Sequence, residues 1–504
     1  MTDVAASADL REHLTKVFSL APDAVAVETK DGPVTWRALA QAGDEVERLL
    51  VQAGVDRSAP VGWVARNRAA SVASFAALVR YGRMVVPLRP NLTPAAFCSE
   101  LGAQRLQAVI GDADDWSVLG AVESAAQAGS AGILVTGEVS LQVAAVPELT
   151  KVGLPPHREP MPGYVLERLT SGTTGAPKRI PVKEEVLLPS LRSGEQKSSG
   201  GEEPLRLQTS PALLFKPFSH AGGLFGLLLA LYQARPVVLF EKFVAEDWAQ
   251  AVRRFQPKSA SLVPAMIQMI MDAEIPADWL RSLRAIRSGT APLDPAMQIA
   301  FEERYGVPIL VDYGAAEFIG GVAGWTLADH KAFAKTKRRS VGRPRSDVSL
   351  RVVSAESGEA LPSDQVGILH IKCDRFGPDW FITNDLALID SDGFLFLHGR
   401  ADDAINRGGF KILPDEVAVV LRRYPGVRDA AVVGAPDPRL GQVPVAAIEM
   451  KPGEAHPTAE ALNAFAREHL TAYMVPKVFH FVDELPRTAS MKVSRPELKK
   501  LLGL

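Results

Sequence analysis

The sequence predicts an α/β fold, with a large N-terminal domain of mixed α/β subdomains that includes a β subdomain, and a small α+β domain at the C-terminus. Three observations predict it. Short apolar runs alternate with amphipathic helical patterns over most of the first 400 residues, strands follow one another without long helices from 348 to 397, and the pattern changes to a compact βαβ-type unit after Gly399-Arg400-Ala401-Asp402. Alternation of the first kind builds mostly parallel sheets covered by helices. At 504 residues the chain also exceeds the size at which one hydrophobic core stops growing, so two or more domains are expected.

In chain order, residues 24–27, 61–64, 84–87, 107–110 and 132–135 read as buried strands. Residues 37–52 read as a helix that turns Leu39, Val46, Leu49 and Leu50 toward one face. Further strands are expected at 236–240, 259–263, 284–287 and 307–311. Residues 193–203, SGEQKSSGGEE, read as a surface loop, because Gly, Ser and charge cannot build a core. Beyond Asp402 a helix is expected at 415–423, with acidic residues in its first turn to suit the helix dipole. Strands at 430–434, 443–450 and 478–482 follow, with a helix at 458–469, and a last helix begins at Ser494, an N-cap followed by Pro496. The expected domains are 1–401 and 402–504.

Hydrophobic residues make up 47% and charged residues 23%, ordinary for a globular chain, and 56 basic against 58 acidic side chains leave a net charge of −2. That balance offers no bulk attraction to nucleic acid or to an anionic membrane, so neither is an expected partner. The cysteines, Cys98 and Cys373, lack metal-ligand spacing and suggest a reducing compartment. The N-terminus lacks the basic-then-apolar order of a signal peptide. The most apolar run, 212–233, is interrupted by Lys216 and His220. A cytoplasmic protein, monomer or homodimer, is expected.

Chemistry concentrates in Leu169-Thr170-Ser171-Gly172-Thr173-Thr174-Gly175-Ala176-Pro177-Lys178. Glycines let a backbone approach closely, successive N–H groups attract anions, and a lysine adds a point charge, so such a loop can wrap a polyphosphate. It is not a P-loop, whose Gly-x4-Gly-Lys-Ser/Thr spacing is absent.

This segment resembles the signature of the adenylate-forming superfamily, which includes acyl-CoA synthetases, aryl-CoA ligases, nonribosomal adenylation domains and luciferases. Other segments resemble that family's motifs in the same order: Phe218-Ser219-His220, Ser288-Gly289-Thr290-Ala291-Pro292-Leu293, Tyr313-Gly314-Ala315-Ala316-Glu317, Thr383-Asn384-Asp385, Gly399-Arg400-Ala401-Asp402-Asp403 and Pro486-Arg487-Thr488-Ala489-Ser490-Met491-Lys492. The resemblance spans essentially the whole chain. It implies an ATP- and Mg2+-dependent ligase that joins a small carboxylic acid to AMP and then passes the acyl group to coenzyme A. An aryl or medium-chain acid is expected, and an adenylating amide synthetase, a carrier-protein ligase and a degenerate nucleotide-binding member are the alternatives.

The resemblance also implies roles. Thr170, Ser171, Gly172, Thr173, Thr174 and Lys178 would hold phosphates. Tyr313 would stack on adenine, with Gly289 and Thr290 at its other edge and Ala291, Asp312, Gly314 and Ala316 completing the nucleotide site. Asp385 would accept the ribose hydroxyls with support from Arg400, and Glu317 would carry Mg2+. His220 would stand at the mouth of the acyl pocket. Lys492 would be the catalytic cation, on a small domain that swings about Asp402, and Gly408, Gly409 and Lys411 would frame a tunnel for the pantetheine arm. Departures from the family pattern are Ala316 for Thr, Thr290 for a second Gly, Asn384 for Gly, Met491 for the Gly before the lysine, and Arg179 for the Gly after Lys178. The stretch between Lys372 and Trp380 is shorter than in many relatives. No carboxylate follows Phe218 to bind an α-ammonium, so an acid without an α-amino group is favoured, and with no carrier segment after Leu504 free CoA is the expected acceptor.

Overall fold

The structure is a computed structural model and describes residues 9–169, 178–199, 205–314, 320–373, 377, 379–488 and 491–504, with the backbone alone for 193–199. The described residues form two compact units: those up to 169 with 178–261 and 273–284, and those of 262–272 with 285–504.

The first unit is built on a seven-stranded sheet in the order Gln142–Ala145, Ala131–Thr136, Ala108–Gly111, Val61–Val64, Val85–Leu88, Tyr164–Leu169, Arg179–Lys183. Its inner pairs are parallel and its two edge pairs antiparallel. The three strands Val61–Val64, Val85–Leu88 and Ala108–Gly111 are buried at every residue, as expected of parallel strands covered on both faces. The helix Trp36–Gln52 starts at Thr35, whose hydroxyl accepts the Ala38 N–H, and it buries Leu39, Val46, Leu49 and Leu50 as its periodicity predicts. A four-stranded sheet in the same unit runs in the order Ala212–Leu214, Val237–Leu239, Val25–Thr29, Gly32–Thr35.

Two readings change here. The strand Tyr164–Leu169 was hidden in the sequence by Glu167 and Arg168, yet Glu167 is fully buried because Arg158 and Arg179 pair with its carboxylate. Residues 193–199, expected as loop, belong to the helix Glu184–Ser199. Glu195, Gln196 and Lys197 are good helix formers that extend a helix already nucleated upstream. The rest of that segment, 200–203, lies outside the described residues.

In the second unit Ala285–Ser288 and Ile309–Tyr313 pair in parallel, and Ala323–Gly324 and Arg343–Pro344 continue the sheet antiparallel. A four-stranded antiparallel sheet follows: Val348–Val353, Gly367–Cys373, Phe381–Ile389 and Leu395–Arg400. Residues from Ile405 onward have a core of their own, with Ile405, Ile412, Val417, Leu421, Ile448 and Leu462 at its centre. There Val427–Asp437 and Gly441–Met450 form a long antiparallel pair, Val478–Val482 adds in parallel, and Pro414–Leu421 and Ala459–His469 are helices. Ser494 occupies the N-cap of Arg495–Leu501 without a side-chain cap bond; it is buried, and its N–H donates to the Pro486 carbonyl at 2.7 Å. Among the described residues no helix is long and apolar enough to cross a membrane.

Candidate active site

In the second unit the strand Ile309–Tyr313 delivers Asp312 and Tyr313 to its C-terminal end, and Phe381–Ile389 delivers Asp385. Tyr313 is buried, and its hydroxyl donates to Asp385 Oδ2. The residue expected under adenine thus touches the residue expected on the ribose. Asp385 is held in turn by its own N–H, which donates to Thr383 Oγ1 at 3.0 Å, while the buried Thr383 hydroxyl donates to the Leu369 carbonyl at 2.8 Å. Arg400 stands opposite Asp385 in the strand register.

Gly289 lies against Asp312: a Cβ on it would stand 2.7 Å from the Asp312 carbonyl oxygen. Only glycine fits so close an approach. The next residue, Thr290, adopts φ +73°, the left-handed region in which the family's glycine is at ease and a threonine is strained. The hydroxyl of Ser288, just before this turn, is buried and has no hydrogen-bond partner among the described residues. The Asp312 carboxylate receives Arg287 Nη1 at 3.1 and 3.2 Å and Arg345 Nη2 at 3.1 Å, so its side chain fixes the end of its strand. Ala291 and Gly314 flank these two turns.

At the expected hinge, Asp402 sits in the short 3-10 turn Ala401–Asp403 and receives Arg400 Nε at 2.9 Å and Nη2 at 2.7 Å, and Asn384 Nδ2 at 3.2 Å. The hydrogen bond from Arg400 holds the Asp402 carboxyl below the usual range, and the same bond pushes the Arg400 guanidinium up. Arg400 therefore engages Asp402 while standing opposite Asp385 in the strand register. Asn384, a departure in the sequence, supplies a contact to Asp402 that glycine has no side chain to make. Arg495 ties the far end of the lysine segment to this turn by pairing with Asp403 and, at 2.8 Å, with Asp415.

Gly408 and Gly409, at φ +57° and +93°, form the two-residue turn between Ile405–Arg407 and Phe410–Ile412, the backbone that a tight hairpin needs. Lys411 is exposed on the second of these strands.

The segment around Lys492 is a small hairpin. Thr488 N–H donates to the Lys492 carbonyl at 2.7 Å, Met491 N–H to the Thr488 carbonyl at 2.8 Å, and Lys492 N–H to Thr488 Oγ1 at 3.3 Å. Met491 adopts φ +63°, which explains why the family pattern has glycine there. Lys492 is exposed. Arg487 anchors the hairpin to the domain through Asp429 Oδ2 at 2.6 Å, and Arg422 reaches the other oxygen of Asp429 at 2.6 Å. Burial pushes the Asp429 carboxyl up, but the two guanidiniums outweigh it and hold the group below the usual range.

In the first unit, Lys178 is exposed just ahead of Arg179–Lys183. Arg179, the unexpected neighbour, donates to Glu100 Oε1 at 2.5 Å and to the Pro87 carbonyl at 2.9 Å, pinning the start of Arg179–Lys183. His220 is half-buried at the N-cap of Ala221–Tyr232. Phe218 is fully buried and its N–H donates to Asn67 Oδ1 at 3.0 Å, so it is a core residue. Thr170, Ser171, Gly172, Thr173, Thr174, Ala316 and Glu317 lie outside the described residues. Sequence reading missed Asn67 and Asp429, which carry no motif, and gave no role to Arg487 although it lies in the lysine motif; only their contacts identify them.

Comparisons with known proteins identify the family. Residues 15–375 match the model of the AMP-binding enzyme family, and 416–492 match that of the AMP-binding enzyme C-terminal domain. A 2-succinylbenzoate–CoA ligase of Geobacillus kaustophilus is 29% identical over 503 residues, covering 96% of each chain. A sulfoacetate–CoA ligase of Cupriavidus necator is 30% identical over 388 residues, covering 73% of this chain and 72% of that one. Among solved structures, the amide bond synthetase McbA from Marinactinospora thermotolerans superposes with a TM-score of 0.78 at 25% identity, over 98% of this chain and 99% of that one. With both family models matched in order along most of its length, the chain belongs to the AMP-binding enzyme family of adenylate-forming ligases.

Proposed function

We propose that this chain is an AMP-forming acid–thiol ligase that activates a small carboxylic acid with ATP and Mg2+ and transfers the acyl group to coenzyme A. The single observation that carries the reading is the corner where Tyr313 donates to Asp385, with Gly289 drawn against Asp312 in the same unit. An aromatic face, a close backbone and a carboxylate acceptor are what adenine and ribose require, and the orphaned Ser288 hydroxyl beside Gly289 suits a polar ligand. The CoA ligases among its relatives support a thiol as acceptor.

In the first half-reaction a carboxylate oxygen attacks the α-phosphorus, the bond to the bridging oxygen breaks, and pyrophosphate leaves. Two anions must meet, and Lys492 would lower that repulsion and stabilise the pentavalent transition state. Lys178 and the hydroxyl-rich segment before it would hold the departing phosphates. Glu317 would hold Mg2+, which when bound would supply charge neutralisation for the phosphates. In the second half-reaction the CoA sulfur attacks the acyl carbonyl, the bond to AMP breaks, and the thiol proton passes to solvent. The proposed domains are 1–401 and 402–504, with Asp402 as the hinge; the separate core beyond Ile405 supports a module able to turn as a body. Gly408, Gly409 and Lys411 would line the path of the pantetheine arm, and His220 the mouth of the acid pocket.

The test is pyrophosphate release with ATP, Mg2+ and a panel of acids, with and without CoA, in the wild type and in Lys492→Ala. Loss of one well-placed cation should slow acyl-AMP formation roughly 10²- to 10³-fold, while transfer from supplied acyl-AMP to CoA persists. Unchanged acyl-AMP formation in Lys492→Ala would sink the mechanism. The likeness to an amide bond synthetase motivates a second reading with the same first step, and an arm with amines in place of CoA separates the two.

A further inference from the structure

Asp272 closes the helix Pro264–Asp272 with a carboxylate, the charge that a helix C-terminus disfavours. A side chain set against the helix dipole is expected where a cation compensates it. That cation comes from beyond the expected hinge: Arg428 Nη2 lies 3.1 Å from Asp272 Oδ2. Gln268, one turn back, donates to Asp272 Oδ1 at 2.6 Å and steadies the carboxylate.

Arg428 sits at an irregularity of its strand. In the pairing of Val427–Asp437 with Gly441–Met450, Val427 stands opposite Met450 and Asp429 opposite Glu449, so Arg428 is an extra residue in the ladder. Such a bulge re-aims a side chain. Arg428 Nη1 donates to Oε1 of the buried Glu449 at 3.0 Å, and Glu449 Oε2 accepts the Leu485 N–H at 2.9 Å. Leu485 opens the segment that runs through Arg487 to Lys492. One guanidinium therefore joins a helix from before the expected hinge to the base of the lysine segment beyond it. The helix is tied to its own side by the Tyr305 hydroxyl, which donates to the Ile270 carbonyl at 3.3 Å. All of these residues belong to the second unit.

The pair is weak enough to break. Arg428 and Asp272 keep 31% and 36% of their side-chain surface in water, and an ion pair that wet shifts an equilibrium about twofold to fivefold. A contact of that size favours an orientation without locking it. Loss of Asp272 also leaves the bond between Arg428 and Glu449 in place, whereas loss of Arg428 would strip a buried carboxylate.

We infer that the Asp272–Arg428 pair is a latch, which holds the module carrying Lys492 against the helix Pro264–Asp272 in one of its two orientations and opens when the module turns about Asp402. The inference rests on the proposed turning of that module and adds the contact that sets the balance between its orientations.

The experiment places nitroxides at Lys331→Cys and Lys499→Cys in a Cys98→Ser background and reads the distance between them by pulsed electron paramagnetic resonance, in the free protein and with ATP and Mg2+. Lys331 and Lys499 are exposed, one on each side of the expected hinge, and the remaining cysteine, Cys373, is buried. Two distances should appear. Asp272→Lys, which sets two cations together, should move the population about threefold or more toward the unlatched distance. Asp272→Ala should move it less, and Asp272→Glu should retain the wild-type balance. Sodium chloride at about 0.5 M should shift the wild type in the same direction, and Asp272→Ala by less, because screening acts on the pair. A balance that Asp272→Lys leaves unchanged, or moves the other way, overturns the latch and leaves the turning module standing. A single distance in every variant, with and without ATP and salt, overturns the turning module, and the latch with it.

Discussion

The Tyr313–Asp385 corner and the Lys492 segment lie in the same compact unit and are held in opposite ways. Asp385 is set by strands: its carboxylate meets a buried tyrosine, its N–H meets Thr383, and Thr383 is tied to the neighbouring strand. Lys492 is set by a local hairpin at the surface, closed through Thr488 and carrying a methionine in a backbone conformation that suits glycine. The first arrangement suits a group that must wait in place for a ligand. The second suits a group that enters and leaves, because it is exposed on a segment closed by local bonds and anchored through Arg487 to Asp429.

That contrast makes Asp429 the residue to remove first, since it is the anchor of the loosely held region. Asp429→Ala leaves the Arg422 and Arg487 guanidiniums without their shared carboxylate, and should cost about 3 kcal/mol of stability, read from urea or thermal unfolding. The pH dependence carries the same sign. The folded Asp429 carboxyl lies below its ordinary value, so its contribution is fully present above the unfolded pKa near 4 and lost as pH falls through the lower folded value. Wild type should therefore lose stability below about pH 4 more steeply than Asp429→Ala. Parallel curves would show that the pair does not anchor the hairpin.

Next in size is Asp385→Ala. If Asp385 accepts ribose hydroxyls as proposed, its loss should raise the ATP requirement roughly thirtyfold, about 2 kcal/mol, beyond the modest fall in melting temperature expected from leaving the Tyr313 hydroxyl without its acceptor. A large fall in melting temperature with ATP use intact would make Asp385 a structural residue and remove half of the comparison. The smallest effect is expected at Met491→Gly. Relief of the left-handed backbone should raise stability by about 0.5–1 kcal/mol. A decrease instead would mean that packing of the half-buried Met491 side chain outweighs the backbone strain.

Much of this molecule was legible in its sequence. The parallel strands announced themselves because burial on both faces makes them continuous apolar runs, as at Val61–Val64 and Val85–Leu88. The strand Tyr164–Leu169 did not, because its buried Glu167 is neutralised by arginines from elsewhere in the chain, a pairing no local window displays. At the site, Gly289 and Tyr313 stood out through their motif neighbours. Asn67 fixes the backbone on either side of Pro217 from about 150 positions away in the chain, and nothing near it in sequence hints at that.

The sequence alone determined the fold class, the order of the family's motifs and the residue types proposed to bind phosphate, base and ribose, because these depend on local pattern and on chemistry that few side chains can perform. Tertiary structure decided the rest. It turned Asp312 toward two arginines, brought Asn384 to Asp402, anchored the lysine hairpin on Asp429 and set Arg428 beside Asp272. Each of these is a meeting of residues far apart in the chain, or on opposite sides of a turn, and only the packed backbone specifies which of the many possible partners a charge or amide will find.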